Sequence, residues 1–255
     1  MISAIPFLSA LIILSSCNNN QLIKKSQFSF ETNRLDTSKP YLTTTFPGKT
    51  YPQIFAAAFH ADTKAKQDDI TYIFHSYELG KIKIESGKII ACDPIVMHDS
   101  RPFTQVFPIG QFLVTLAIAK TSNYERVAFS RITFSNNPVS KWELALKEGQ
   151  KPIPLKDTSF YCYGVDAGTG IFIDSIANKS FNQKSHAEWK DVFITKAEKN
   201  GNVGYIHEFE THNLATFSTG YGDGCYATYV GIDNAGNVCQ LLTDFGLVDW
   251  WKLDK

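Results

Sequence analysis

The stretch Gly220–Gly246, GYGDGCYATYVGIDNAGNVCQLLTDFG, carries the clearest pattern in the chain and predicts a β-hairpin. Its first half, Cys225 to Ile232, is rich in the β-branched and aromatic residues that favour strands. Asp233 to Gly236 is typical of a tight turn, because such residues tolerate a positive φ or bond their own backbone. Val238 to Thr243 then predicts the returning strand. We therefore expect two adjacent antiparallel strands near the end of the sequence.

A glycine-rich acidic loop leads into this hairpin. Three glycines in five positions, Gly220, Gly222 and Gly224, let the backbone approach a neighbour closely or adopt conformations that other residues avoid. Asp223 lies among them, where its carboxylate either accepts backbone amides of the turn or reaches a ligand. The sequence leaves both roles open.

The preceding part of the chain predicts short strands separated by turns. Ile70–Phe74 and Leu79–Ile84 are interpreted as two strands, with His75, Ser76 and Gly80 interrupting the pattern. Alternation of apolar and charged residues in the second of them is typical of a strand with one solvent-exposed face. Short strands of this kind favour an antiparallel, sheet-rich fold.

A single convincing helix is predicted at about residues 185–199. Ser185 followed three residues later by Glu188 has the spacing of a capping box, and Gly201 lies just beyond the helix end. A second, shorter helix is favoured within residues 51–60. We expect one mainly-β (α+β) domain over residues 41–255, an antiparallel sandwich or barrel with the one clear helix.

The charge balance argues against a nucleic-acid partner. The 25 Lys and Arg residues equal the 25 Asp and Glu residues, so the formal net charge is zero. Nucleic-acid-binding domains usually carry a basic patch, often interleaved with aromatic residues. The sequence contains no such stripe, and we expect no nucleic acid to bind.

The N-terminal residues resemble a bacterial lipoprotein signal. Ile5–Leu14 is apolar but too short to span a bilayer as a helix, and small residues precede Cys17. The resemblance implies that residues 1–16 are removed as a signal peptide, that Cys17 carries lipid, and that residues 17–40 form a polar tether. It places the protein in the cell envelope, lipid-anchored on the periplasmic or outer-membrane side. No Lys or Arg precedes the apolar run, which leaves an apolar N-terminal strand or anchor as the alternative.

Beyond this signal lie four cysteines, Cys92, Cys162, Cys225 and Cys239. An even number permits disulfides in an oxidising compartment. The predicted hairpin register places Cys239 opposite Val230 and Cys225 opposite Asp244, which argues against a bridge between these two cysteines. Buried free thiols are the expectation. None of the cysteines has the C-x-x-C spacing of a structural zinc site.

Acidic residues follow several predicted strands or lie in glycine-rich loops: Asp93, Asp166, Asp174 and Asp223. Asp166 lies in a second glycine-rich loop, formed by Gly164, Gly168 and Gly170. If these loops gather at one end of the sheet, the carboxylates are suited to a divalent cation, which either braces the fold or polarises a substrate oxygen. The competing interpretation is that the aspartates accept turn amides.

Motifs for other chemistry do not occur. His207 and His212 are spaced five residues apart, unlike the HExxH metal motif, and that spacing puts them on opposite faces of a strand. There is no G-x-S-x-G nucleophile motif and no Lys-Ser/Thr to close a phosphate loop. Apart from the candidate cation, the sequence predicts no cofactor and no catalytic residues.

Several stretches resemble the bacterial domain-of-unknown-function family 4241: Glu85–Lys88, Ala91–Pro94, Phe107–Phe112, Trp142–Ala145, Tyr163–Asp174 and Gly220–Phe245. They follow one another in family order over most of the chain after residue 80. The resemblance implies a shared domain from about residue 40 onward, with the lipoprotein tether as an addition. It implies no catalytic residues.

The leading hypothesis is a membrane-tethered binding or interaction module without catalytic activity, whose partner is another protein or a ligand. A lipid anchor joined to a compact β-rich domain without an assembled nucleophile, base and oxyanion site is typical of that class. The alternative is a hydrolase that uses Asp166, Asp174 and Asp223, with or without a divalent cation. Convergence of these carboxylates in an open cleft would favour the enzyme.

Overall fold

The computed structural model describes strands at residues 22–24, 44–46 and 49–51 and the chain over residues 52–153, 159–201 and 203–250. Its strands are β1 (Leu22–Lys24), β2 (Thr44–Phe46), β3 (Lys49–Tyr51), β4 (Thr63–Gln67), β5 (Ile70–Ile84), β6 (Ile89–Cys92), β7 (Gly110–Lys120), β8 (Glu125–Thr133), β9 (Lys141–Leu144), β10 (Ser159–Tyr161), β11 (Tyr163–Val165), β12 (Thr169–Asp174), β13 (Gly204–Phe209), β14 (His212–Ser218), β15 (Gly224–Ile232) and β16 (Val238–Asp244). Its helices are α1 (Ile54–Ala57), a 3₁₀ turn (Pro94–Val96), α2 (Ser175–Phe181), α3 (His186–Lys190), a π-helical turn (Asp191–Lys196) and α4 (Ala197–Lys199).

Two antiparallel sheets form the body of the molecule. The larger sheet has the order β11-β15-β16-β8-β7-β5-β4, with β9 also paired to β15, and it curls into half a barrel. The smaller sheet has the order β13-β14-β12-β6. The predicted mainly-β, antiparallel fold with one clear helix is therefore confirmed.

The space between the two sheets holds a core of apolar side chains. Ile82 and Ile84 of β5 alternate with the exposed Lys81 and the half-buried Lys83 and are fully buried against this core. From the smaller sheet, Phe172 and Phe217 contribute rings with centroids 4.9 Å apart. Interdigitation of two inner faces is the packing of a β-sandwich.

The outer face of each sheet is covered as well. Phe55 of α1 packs on the outside of the larger sheet, with its ring centroid 5.6 Å from that of Phe129 and 5.2 Å from that of Trp142. On the smaller sheet, Phe181 of α2 packs 5.1 Å from Phe209. The helices α1 and α2 thus remove apolar side chains on the outer face of each sheet from water.

The hairpin that opened the sequence analysis is formed by β15 and β16, but its register differs from the prediction. Asp233 accepts hydrogen bonds from the amides of Ala235 and Asn237, at 2.9 and 2.8 Å, and a bulge follows Gly231. The pairing therefore shifts, and Asp244 lies opposite Ala227 rather than Cys225.

One disulfide joins Cys162 to Cys225, with Cα atoms 5.4 Å apart. The expectation of free thiols is thus wrong for these two cysteines and confirmed for Cys92 and Cys239, which are free and buried. The reason is the pairing of β11 with β15, which brings Gly164, two residues after Cys162, opposite Cys225. The rejection of a bridge between Cys225 and Cys239 is confirmed.

Other differences concern individual elements. Residues 70–84 form one strand of 15 residues rather than two, because a bulge between Glu78 and Gly80 absorbs the interruption and pairing with β7 continues on both sides. The helix α2 was not predicted. The helix expected at about residues 185–199 is confirmed as α3, the π turn and α4 in succession, with both hydrogen bonds of the capping box present.

The proposed signal peptide and Cys17 lie outside the described residues, as does most of the tether. Within the part of the chain that is described, no helix is long and apolar enough to cross a membrane.

Candidate functional site

Asp93 connects two loops through its carboxylate. One oxygen accepts the amide of Ile95 at 2.7 Å and so caps the 3₁₀ turn. The other accepts the amides of Asp166 and Ala167 at 2.7 and 2.8 Å. Burial raises the pKa of Asp93, and the three backbone N–H donors oppose that rise. The side chain therefore holds the second glycine-rich loop in place.

Asp174 is fully buried at the opposite end of β12. One carboxylate oxygen caps α2 through the amide of Ile176 at 2.8 Å. The other accepts the amides of Glu85 and Ser86 at 3.0 and 2.9 Å and the Ser86 hydroxyl at 2.7 Å. These donors clamp the turn between β5 and β6 to the start of α2.

The two glycine-rich loops touch each other at the other end of the sandwich. The amide of Thr219 donates to the carbonyl of Gly168 at 3.2 Å. A Cβ atom on Gly168, where φ is +60°, would lie only 3.5 Å from the Cα of Gly222. The contact brings Asp166 and Asp223 to the same end of the molecule, and both side chains are exposed.

The four aspartates therefore do not form one site. Asp174 lies a strand's length from the loops that carry Asp166 and Asp223. Among the residues described here, no three His, Cys, Asp or Glu side chains are grouped so that they could hold a metal ion. The two buried carboxylates already accept several protein hydrogen bonds each.

A different region has the features of a ligand site. A groove of about 610 Å³ opens between α1, the ends of β8 and β16, and the loop that follows β8. We call it the Arg131 groove. Its polar side chains are Gln53, His60, Arg131, Thr133, Ser135, Asn136, Asn137 and Gln240.

The strand register explains why these residues share one surface. Thr133 lies directly opposite Gln240, and Arg131 opposite Leu242, on the paired strands β8 and β16. Residues directly opposite each other, and residues two apart on one strand, point to the same face of a sheet. Arg131, Thr133 and Gln240 therefore project together toward α1.

Arg131 carries a charge that no described residue neutralises. Its guanidinium carbon lies 3.6 Å from the ring centroid of Phe59, a cation–π contact. Its Nε atom is enclosed and has no hydrogen-bond partner among the described residues. Burial lowers the pKa of the Arg131 guanidinium to about 10, and no carboxylate counteracts this shift.

The side-chain oxygen of Gln240 is likewise enclosed and without a hydrogen-bond partner in the described structure. Buried polar atoms in folded proteins are nearly always paired, so two unpaired ones in one groove need an explanation. A ligand that enters the groove and draws the two side chains toward it accounts for both.

Two other buried atoms without partners face a much smaller space. The ammonium of Lys147 and the hydroxyl of Tyr163 line a cavity of about 10 Å³. That volume accommodates a single water molecule at most. The Arg131 groove, by contrast, combines unpaired buried atoms with room for a ligand.

Two further clefts lack such atoms. One of about 410 Å³ lies between the 3₁₀ turn and α3, where the indole N–H of Trp189 already donates to the carbonyl of Pro94 at 3.1 Å. Another, of about 280 Å³, separates Gly168 and Thr169 from the π turn. Neither is lined by an unpaired buried polar side chain of the described residues.

The sequence carries a local signal for this groove. Arg131 lies two residues after Phe129, and Phe129 is fully buried in the core on the outer face of the larger sheet. A strand places such residues on one face, so an arginine was predictable on a core-facing surface. A charged residue at such a position is an indicator of function.

The fold and groove together define a β-sandwich domain with an open polar cleft. Comparison with known families gives a match to the family described as "Protein of unknown function (DUF4241)" over residues 82–243, and the chain belongs to this family. Arg131 and Gln240 lie within the matched region. No curated protein and no solved structure matches the chain.

Proposed function

We propose that this protein is a non-catalytic ligand-binding domain, held at the cell envelope by lipid on Cys17. The observation that carries the proposal is the pair of enclosed polar atoms in the Arg131 groove, Nε of Arg131 and Oε1 of Gln240, neither with a partner in the described structure. A polar ligand in the groove, with rotation of the two side chains toward it, supplies the hydrogen bonds that these atoms lack.

The lining of the groove favours binding over hydrolysis. None of its described residues is an acid, a lysine or a cysteine, and its one histidine, His60, has no carboxylate in the lining to orient it as a general base. The aspartates considered for hydrolysis lie elsewhere: Asp174 is committed to hydrogen bonds within the fold, and Asp166 and Asp223 are exposed.

Binding is tested by thermal shift against a panel of neutral, anionic and cationic small metabolites. We expect at least one compound to raise the melting temperature, since a ligand that binds only the native state stabilises it. Ala57→Trp fills the groove from α1 and is expected to abolish the shift. Ala187→Trp, on an exposed position of α3, is the matched control and keeps it.

A panel without any stabilising compound, or a shift in melting temperature that persists in Ala57→Trp, contradicts the proposed ligand binding.

The proposed anchor is tested separately by metabolic labelling with an alkyne fatty acid in a bacterial host. We expect label on the wild type and none on Cys17→Ala, with a mature N-terminus at residue 17. Unlabelled wild-type protein that retains residues 1–16 contradicts the anchor.

A further inference from the structure

We propose that the Arg131 groove binds a small monocarboxylate that also carries hydroxyl groups, with the carboxylate on Arg131. The inference rests on the proposed function, since it presumes that the groove is the ligand site. It adds the chemical class of the ligand.

The charge of Arg131 requires a counter-ion that the described fold does not provide. With a pKa of about 10 the guanidinium is protonated at neutral pH. A half-buried charge without an ionic partner is unfavourable, and a carboxylate forms strong, charge-assisted hydrogen bonds with arginine. A ligand carboxylate therefore gains a charge-assisted hydrogen bond with the guanidinium and supplies its counter-ion.

The orientation of the guanidinium suits a planar acceptor. The contact with Phe59 at 3.6 Å covers one face of the group and leaves its edge for hydrogen bonds. The donors of an arginine edge form a fork that matches the two oxygens of a carboxylate. Phe59 is itself buried and lies just after α1, so the platform is held by the core.

The rest of the lining limits the ligand to one negative charge. Arg131 is the sole Lys or Arg among the described lining residues, and His60 is the one other titratable group. A dianion would therefore keep one charge uncompensated. The hydroxyls of Thr133 and Ser135 and the amide of Gln240 are suited to ligand hydroxyl groups.

The carboxylate of Asp233, which contacts the lining residue Asn137, does not oppose this assignment. Asp233 lies behind Asn137 and accepts its side-chain amide at 2.7 Å, as well as the amides of Ala235 and Asn237. Its charge is compensated by these donors and does not line the groove. The contact instead fixes Asn137 at the rim.

Three sugars on one ring skeleton test the inference: D-glucose, D-glucuronate and D-glucose 6-phosphate. The readout is the Nε–H resonance of Arg131 in protein labelled with ¹⁵N-arginine, assigned by its loss in Arg131→Met. We expect glucuronate to shift this resonance and to bind at least about tenfold more tightly than the other two sugars. Arg131→Met should weaken the affinity for glucuronate by about the same factor, whereas Arg101→Met, at an exposed position, should leave the affinity unchanged.

Gln240→Leu is a second variant, which keeps the guanidinium and is expected to weaken binding while the Arg131 resonance remains visible. Equal binding of glucose, tighter binding of the phosphate, no shift with glucuronate, or unchanged affinity in Arg131→Met overturns the carboxylate assignment. Glucose or phosphate binding that Ala57→Trp blocks would overturn it while leaving the proposed binding function intact. Failure of the metabolite panel would instead remove the binding function itself.

Discussion

At the scale of single residues, Arg131 is placed where a charged side chain destabilises the fold. It shares a strand face with the buried Phe129, and no described carboxylate pairs with it. Natural proteins keep such residues mainly where function requires them. Stability and ligand binding should therefore respond in opposite directions when this side chain is replaced.

We predict that Arg131→Met raises the free energy of unfolding by about 1 kcal/mol, because it removes an enclosed, unpaired charge and retains the apolar stem against Phe59. Urea denaturation at pH 7 measures the change. Arg101→Met, at an exposed position, is the control and should change stability by less than about 0.5 kcal/mol. A clear loss of stability in Arg131→Met would show that the fold itself depends on the guanidinium.

Asp174 illustrates the opposite case, a charged residue that the fold does depend on. We predict that Asp174→Asn lowers the free energy of unfolding by about 2 to 3 kcal/mol, because the amide turns an N–H toward donors that the carboxylate accepted. Asp223→Asn, at an exposed loop position, should leave the unfolding midpoint nearly unchanged. If both variants unfold alike in guanidinium chloride, the clamp contributes little.

The roles of Asp93 and Asp174 were accessible from sequence to a greater extent than we used. Asp93 precedes a proline and Asp174 precedes Ser-Ile-Ala, and an aspartate directly before such residues is a typical N-cap. The long-range acceptor role was not accessible, since Asp174 binds the amide of Ser86 across 88 residues of sequence. Local chemistry thus indicated the cap, and only the fold reveals the clamp.

At the scale of elements, the helix at residues 186–199 was predictable because its start is encoded locally in the capping box of Ser185 and Glu188. The single strand β5 was not, because its continuity depends on pairing with β7 across the bulge at Gly80. The Arg131 groove depends on α1 packing across β8 and β16, which no local pattern specifies.

The stability of the fold depends on pH through His207, which lies on β13 and is influenced by charges of the π-helical turn. Burial, followed by the charge of Lys196, lowers the pKa of His207 below its ordinary value of 6.5. Asp191 and Glu208 raise it and Lys184 lowers it further, each to a smaller extent. Between the folded pKa and 6.5 the unfolded chain binds more protons, so stability rises with pH across this window.

We therefore predict that His207 contributes to a fall in melting temperature when the pH is lowered from 7 to 5. His207→Gln should make this decrease smaller, because glutamine does not titrate. The exposed His98→Gln is the matched control and should leave the slope unchanged. Calorimetric scans at several pH values measure how steeply the melting temperature changes with pH. An identical change in wild type and His207→Gln would show that His207 does not contribute to the pH dependence.

At the scale of the whole molecule, the fold class followed from strand and turn patterns, whereas the order of strands in the two sheets did not. Pairing of β11 with β15 joins segments about 60 residues apart, and the covalent link between them has a sequence separation of 63. A link of this kind ties the start of the hairpin to the middle of the chain. It is also the feature of the fold that depends on the surrounding redox conditions.

We predict that the double variant Cys162→Ser/Cys225→Ser lowers the free energy of unfolding by about 4 kcal/mol, because opening a loop of this length returns that much conformational freedom to the unfolded chain. Urea denaturation with and without dithiothreitol measures the effect: the reductant should destabilise the wild type to a similar extent and leave the double variant unchanged. Cys92→Ala, which removes a free buried thiol, is the control and should keep the response to the reductant.

Structural disulfides persist in oxidising compartments, so the bond between Cys162 and Cys225 should be oxidised in protein isolated from the cell envelope and reduced in protein retained in the cytoplasm. A wild type whose stability does not depend on dithiothreitol after complete reduction would show that the sandwich holds the hairpin without the bond.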